Sequence, residues 1–162
     1  MSRLAHARHV LAILLLAVWW GGFTFYALVV VPTGHRVLHS KVRQGFITQQ
    51  VTNKLNVLGG VTLAVLLWQT MANRRQHASP ARRRVAWISW AVLAFTLGVL
   101  VWMHPHLDAM LDPVARSVTD DNRFYEWHRW YLLVATAQWL AGLAHLTALG
   151  WGLEMRPTPL LP

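Results

Sequence analysis

Four stretches of this chain each run for at least eighteen residues without an Asp, Glu, Lys or Arg: Val10 to Val31, Leu55 to Ala72, Val85 to Met103, and Trp130 to Leu153. At about 1.5 Å per residue, each run matches a bilayer core of roughly 30 Å if it is helical. Hydrocarbon offers no partner to a backbone N–H or C=O, so an isolated span must close its hydrogen bonds within itself. The expected fold class is therefore all-α: a four-helix transmembrane bundle forming a single integral membrane domain over residues 1–162. The spans are expected at about 10–31, 55–72, 85–103 and 130–153. Pro32 with Gly34 is expected to close the first, and His104 with Pro105 the third. The first run exceeds the usual apolar core of a signal peptide, and the Leu-Val-Val-Val-Pro after Ala27 is a poor cleavage context, so it reads as a retained anchor.

A net charge of +9 would suggest nucleic acid if the charges were not confined between the apolar runs. With no folded basic domain and no interleaved aromatics, they point to the membrane surface instead. Arg74, Arg75, Arg82, Arg83 and Arg84 crowd the connection between the second and third spans, with no acid among them. This arginine group is expected to anchor that face to lipid headgroups. Asp108, Asp112, Asp120, Asp121 and Glu126 all fall on the opposite side. By the positive-inside rule, both termini are expected in the cytoplasm, and a bacterial cytoplasmic (inner) membrane is the expected location. Ten tryptophans fit this frame. Trp102, Trp127 and Trp130 would lie at the outer interface and Trp68, Trp87, Trp90 and Trp151 at the inner one, while Trp19, Trp20 and Trp139 sit deep enough to pack between helices.

Small residues four apart mark a helix face that permits close backbone approach. The adjacent pairs Gly21–Gly22 and Gly59–Gly60 are the strongest such signal, and all four glycines are expected at helix contacts. Two connections are longer than a bundle needs. Residues 33–54 carry His35, Arg36, His39, Lys41 and Arg43, with Val37, Leu38, Val42, Phe46, Ile47 and Val51 at roughly helical intervals. Either a basic interfacial helix after the first span or an extension of the second helix fits that pattern. Residues 104–129, with Pro105 and Pro113, read as an irregular segment.

Chemistry-bearing residues are few. The absence of cysteine rules out disulfides, thiolate ligands and cysteine nucleophiles. No Gly-x-Ser-x-Gly, phosphate-binding glycine loop or His-Glu-x-x-His occurs, and none of the five serines has the setting of a triad. No enzymatic activity is expected. Of nine histidines, His35, His39, His104, His106 and His128 would gather at the outer surface near the acids. Imidazole with carboxylate suits a divalent metal, and His104 with His128 could hold a b-type haem. Within the membrane, Gln138 and His145 lie about two turns apart and could line a route together with Asn56, or could bond across helices to Asn56, Thr62, Thr96 or Thr24.

Several segments together resemble the transmembrane-protein-205-like family of small four-helix membrane proteins. They are Trp20-Gly21-Gly22 with Phe25-Tyr26-Ala27 and Val31-Pro32, then His104-Pro105-His106-Leu107, then Phe124 and His128 at the entry to the last helix. Arg129 stands where that family more often has glycine, and Thr136-Ala137-Gln138 replaces an asparagine-bearing stretch. The resemblance implies the four-helix architecture and singles out His128, but implies no reaction.

The resulting expectation is a small non-catalytic membrane protein, an accessory or structural subunit whose partners are the bilayer and other membrane subunits or copies of itself. A metal- or haem-binding protein built on the outer histidines is the first alternative. Transport through an oligomer is the second.

Overall fold

The computed structural model describes residues 3–72, 80–112 and 117–150. Helix α1 spans Arg3–Phe25 and passes through a π-helical segment, Tyr26–Val30, into α2, Val31–Leu38. Helix α3 covers Lys41–Ala72, α4 covers Pro80–Asp108 and α5 covers Asp121–Gly150. Between α4 and α5, β1 (Leu111–Asp112) pairs antiparallel with β2 (Ser117–Val118). Four helical stretches are long and apolar enough to cross a membrane, with α1 and α2 counting as one. The chain is a multi-pass integral membrane protein with the four-helix architecture expected of it.

The helices pack in chain order, α1 on α3, α3 on α4 and α4 on α5, and α5 returns to α1 to close the bundle. One end of the bundle carries Arg3, Ala72, Pro80 and Gly150 and is called here the termini end. The other carries the α2–α3 turn and the β1–β2 ribbon and is called the hairpin end. Ala12, Leu16, Trp19, Leu63, Leu66, Leu93, Leu97 and Leu149 form one buried cluster, and Leu100, Met103, Leu107, Tyr131 and Ala135 form a second toward the hairpin end. Leu28, Phe95, Trp102 and Trp130 stand exposed on the outside, as a lipid-facing surface requires.

Within the described residues, all four helical stretches extend beyond their apolar cores at one end or both. Pro32 does not terminate the first helix. Its ring would strike the carbonyl one turn back in an α-helix; the π-helical turn before it widens the backbone there, and the Val31 N–H bonds Tyr26 O instead. The helix ends at His39, whose positive φ of 46° is the left-handed stop. Ser40 then caps α3, its Oγ accepting from the Arg43 N–H at 3.4 Å. The basic segment 33–54 is thus helical but divided at His39. The basic helix α2 runs on from α1, and residues 41–54 are the first turns of α3. Pro105 lies inside α4, which continues to Asp108, and α5 begins at Asp121, well before residue 130. Of residues 104–129, those described between Asp108 and Asp121 depart from helix. Asp120 caps α5 by accepting from the Arg123 N–H at 3.1 Å.

The glycine expectations divide. A Cβ on Gly59 would meet the Trp19 indole at 2.7 Å, so Gly59 is a true close approach. Gly22 has only an ordinary contact, with Leu55 at 3.6 Å, while Gly21 and Gly60 face open space. Adjacent glycines point about 100° apart on a helix, so both members of a pair cannot face one neighbour. Gly142, absent from the sequence expectation, is another close approach, with Trp20 Cδ1 at 2.6 Å from its would-be Cβ.

Polar groups at the termini end tie helices together. Arg8 Nε–H donates to Gln69 Oε1 at 2.6 Å, and Gln69 Nε2 donates to His9 Nδ1 at 3.0 Å. Arg82 of the arginine group donates to the Ala148 carbonyl at 2.8 Å and so holds the end of α5, rather than serving lipid alone. Arg83 and Arg84 are exposed, whereas Arg74 and Arg75 lie outside the described residues.

Candidate functional site

At the hairpin end, α1, α2, α3, α4, α5 and the ribbon enclose a cavity of about 400 Å³. Helix α3 supplies its polar wall. Gln44, Thr48 and Thr52 recur every four residues and therefore share one face, with Asn56 next on that face. Each threonine hydroxyl donates to the carbonyl one turn back, Thr48 to Gln44 O at 2.9 Å and Thr52 to Thr48 O at 2.7 Å. Their oxygens stay free to accept. The Tyr26 hydroxyl, aimed inward by the π-helical turn, donates to Thr48 Oγ1 at 2.7 Å. From α5, the Tyr131 hydroxyl bonds toward Thr52 and Asn56. Leu111 and Val118, paired across the ribbon, close the end.

Three of the five expected outer histidines line this cavity: His35 from α2, His104 from α4 and His128 from α5. His104 Nε2 lies 3.4 Å from Asp108 Oδ2, one turn along the same helix. The His128 ring stacks on Phe124, centroids 5.8 Å apart and planes within 6°. The other two are placed elsewhere. His39 forms the left-handed stop, and His106 stacks on Trp127 at 5.3 Å while its Nδ1–H donates to the Trp102 carbonyl at 2.9 Å. Among the described residues, no three His, Asp or Glu side chains converge as a metal ion requires.

One wall residue has no such partner. Gln44 is 2% exposed, and neither its Oε1 nor its Nε2 meets a hydrogen-bonding group. Gly34 faces it from α2, so close that any Cβ there would overlap the Gln44 amide. Sequence reasoning passed over Gln44, Tyr26 and Tyr131, although the four-residue polar repeat from Gln44 to Asn56 was a usable signal. Histidine, with its broader chemistry, carries the more prominent signal in the sequence.

The membrane-embedded polar residues do not form one site. Asn56 belongs to the Tyr131 group, while His145, fourteen residues and about 21 Å further along α5 than Tyr131, is fully buried, its Nδ1 2.8 Å from Ser89 Oγ. The interhelical bond expected of His145 exists, but its partner is Ser89, not Asn56 or a threonine. Ser89 donates its own proton to the Val85 carbonyl at 2.7 Å, so His145 is the donor to Ser89. His145 Nε2 and Gln138 Oε1 are buried without partners. His145→Leu removes one hydrogen bond and one unsatisfied acceptor together, and it leaves Ser89 bonded. Those effects oppose each other at about 1 kcal/mol and 1–3 kcal/mol, so stability should hold or rise slightly. A thermal unfolding midpoint in detergent checks this, and a clear drop would make His145 a structural post.

Residues 14–113 match the model of a family described as a domain of unknown function, DUF4149. That is most of the chain. This protein belongs to the DUF4149 family. The matched part of this DUF4149 chain carries the cavity's polar wall, Gly34, His35, Gln44 and His104, while His128 and Tyr131 lie beyond it on α5. No curated protein and no solved structure matches the chain.

Proposed function

We propose that this chain is a non-enzymatic accessory or structural component of a larger membrane assembly, holding a small amphipathic molecule in its hairpin-end cavity. The carrying observation is how the cavity's polar groups are committed. Tyr26 is bonded to Thr48, His104 neighbours Asp108, and Tyr131 faces Thr52 and Asn56, an arrangement suited to a fixed wall around an occupant. Among the described residues, no nucleophile there is set beside a base. The exposed Arg83 and Arg84, with the arginine-rich connection at 74–84, support a cytoplasmic termini end in a bacterial inner membrane. The motifs around Trp20 and His104 support kinship with the transmembrane-protein-205-like proteins.

Gentle detergent extraction followed by native mass spectrometry tests the assembly. A second polypeptide, or a second copy, is expected at fixed stoichiometry. A monomer that also gives no crosslinks in native membranes would refute the accessory role. The metal or haem reading draws on His35, His104 and His128 lining one cavity from three different helices. Metal content and visible absorption of the same sample decide between the two: about one metal per chain, or a Soret band, would replace the first reading.

A further inference from the structure

His128 is the cavity group whose chemistry is uncommitted. It lines the cavity from α5 with its ring parallel to Phe124. Among the described residues it makes that stack and no hydrogen bond. Neither of its ring nitrogens is among the sealed polar atoms, so both stay open to a partner. The Gln44 amide, by contrast, is sealed behind Gly34 and takes no part. A neutral imidazole carries one N–H donor and one acceptor nitrogen, and a change of tautomer exchanges them. It therefore suits an oxygen that is a carbonyl in one state of the occupant and a hydroxyl in another.

The walls narrow the class. Phe23, Tyr26, Phe124 and Tyr131 line the cavity together with His128, from α1, the π-helical turn and α5. Ring faces and edges attract one another, so walls of this kind favour a flat, unsaturated occupant over a saturated chain. The Tyr26 hydroxyl donates to Thr48, and its oxygen can still accept. Size agrees. At about 30 Å³ per heavy atom, the cavity of about 400 Å³ holds roughly a dozen atoms, the bulk of a substituted six-membered ring with two oxygens. A tail on such a ring has an exit. Leu132 lines the cavity yet is 52% exposed on the apolar exterior, so the cavity reaches the lipid-facing side of α5.

We infer that the cavity holds the ring of a lipid-soluble quinone or its quinol, with His128 as the hydrogen-bonding contact to one ring oxygen. Imidazole N–H donates to the quinone carbonyl, and in the other tautomer the ring nitrogen accepts from the quinol hydroxyl. The tail passes out beside Leu132 into the bilayer. This rests on the reading of the cavity as a holding site and names its ligand.

The test uses the full chain in mild detergent with decylubiquinone, decylbenzene and 4-decylbenzoate, which share one tail. Adducts are counted by native mass spectrometry, and affinity is read from the thermal unfolding midpoint. Decylubiquinone should bind and raise the midpoint. Its affinity should fall about tenfold in His128→Phe, which keeps a ring against Phe124 and loses one hydrogen bond to the occupant. His128→Gln, which brings back a donor and an acceptor, should recover most of that loss. Without probe, His128→Phe should unfold at the wild-type midpoint or above; a clear drop would show the ring nitrogens already bonded and remove His128 from the site. Equal binding of decylbenzene, or equal or tighter binding of 4-decylbenzoate, would overturn the quinone head. Unchanged affinity in His128→Phe would overturn the contact. Photolabelling of the wild-type chain with an azidoquinone of the same tail needs no variant: it should modify α3 and α5 at the hairpin end, and modification elsewhere would refute the site. If no probe binds but an organic extract of the protein yields another small molecule, the quinone is wrong and the holding site stands. If that extract is empty as well, the holding-site reading itself fails.

Discussion

Gly59→Ala is expected to destabilise the bundle by about 1–3 kcal/mol, the usual range for overpacking a filled contact. The new Cβ would lie 2.7 Å from the Trp19 ring. Trp19 is 4% exposed and wedged among Leu16, Leu63 and Leu66, so the ring cannot swing aside and the helices must separate. Gly60→Ala and Gly21→Ala place their methyls in open space and should be neutral, or gain up to about 1 kcal/mol from helix propensity. Trp19→Ala alone should cost about 3–5 kcal/mol. In that background Gly59→Ala should lose its penalty, because the clashing ring is gone, giving a double-mutant coupling of opposite sign to the single effects. Unfolding in mixed micelles measures all five variants. Equal behaviour of Gly59→Ala and Gly60→Ala would refute the α1–α3 contact.

Trp20→Ala should cost about as much, 3–5 kcal/mol, at the α1–α5 seam. The Trp20 and Trp139 rings stack with centroids 5.0 Å apart. The hydrogen bonds around them form a closed loop. Trp20 Nε1–H donates to the Trp139 carbonyl at 3.0 Å, Trp139 Nε1–H to Thr24 Oγ1 at 2.9 Å, and Thr24 Oγ1–H to the Trp20 carbonyl at 2.8 Å. Truncating Trp20 removes the stack and one bond, and it leaves a void against the bare backbone of Gly142. Trp20→Phe keeps most of the area and should recover more than half of the loss; the remainder measures the indole N–H. Since α5 meets α1 mainly here and closes the bundle, the same variant should open the gap between those helices. A disulfide pair introduced across α1 and α5 would then form less readily in Trp20→Ala than in the parent. Equal crosslinking would show that the seam does not depend on Trp20.

The cavity illustrates how far residue type alone can mislead. His106 and His128 have similar sequence surroundings, each next to a tryptophan or a proline at the end of an apolar run. Helical rotation separates them. His106 turns outward into the Trp102–Trp127 stack, while His128 turns into the cavity against Phe124. Gln44 had no such chemical prominence, yet burial beside Gly34 makes it the wall's most distinctive group. A glutamine in a basic, amphipathic stretch reads as solvated until the neighbouring helix is placed against it.

The class and the number of spans were legible in the sequence alone, because they follow from a local quantity, uncharged length against bilayer thickness. The sequence also determined that Trp19, Trp20 and Trp139 lie between helices, since only packing suits an indole at that depth. What only the tertiary structure decided was the order in which the helices pack, with their rotation and register. These settled which glycine of each pair meets an indole, that Ser89 is the partner of His145, and that the helices continue through Pro32 and Pro105. The physical reason is that each depends on atoms far apart in the chain approaching to within a few ångströms. Hydrophobic periodicity carries little of that information when every face of a membrane helix is apolar, and the lipid-facing side is as oily as the core.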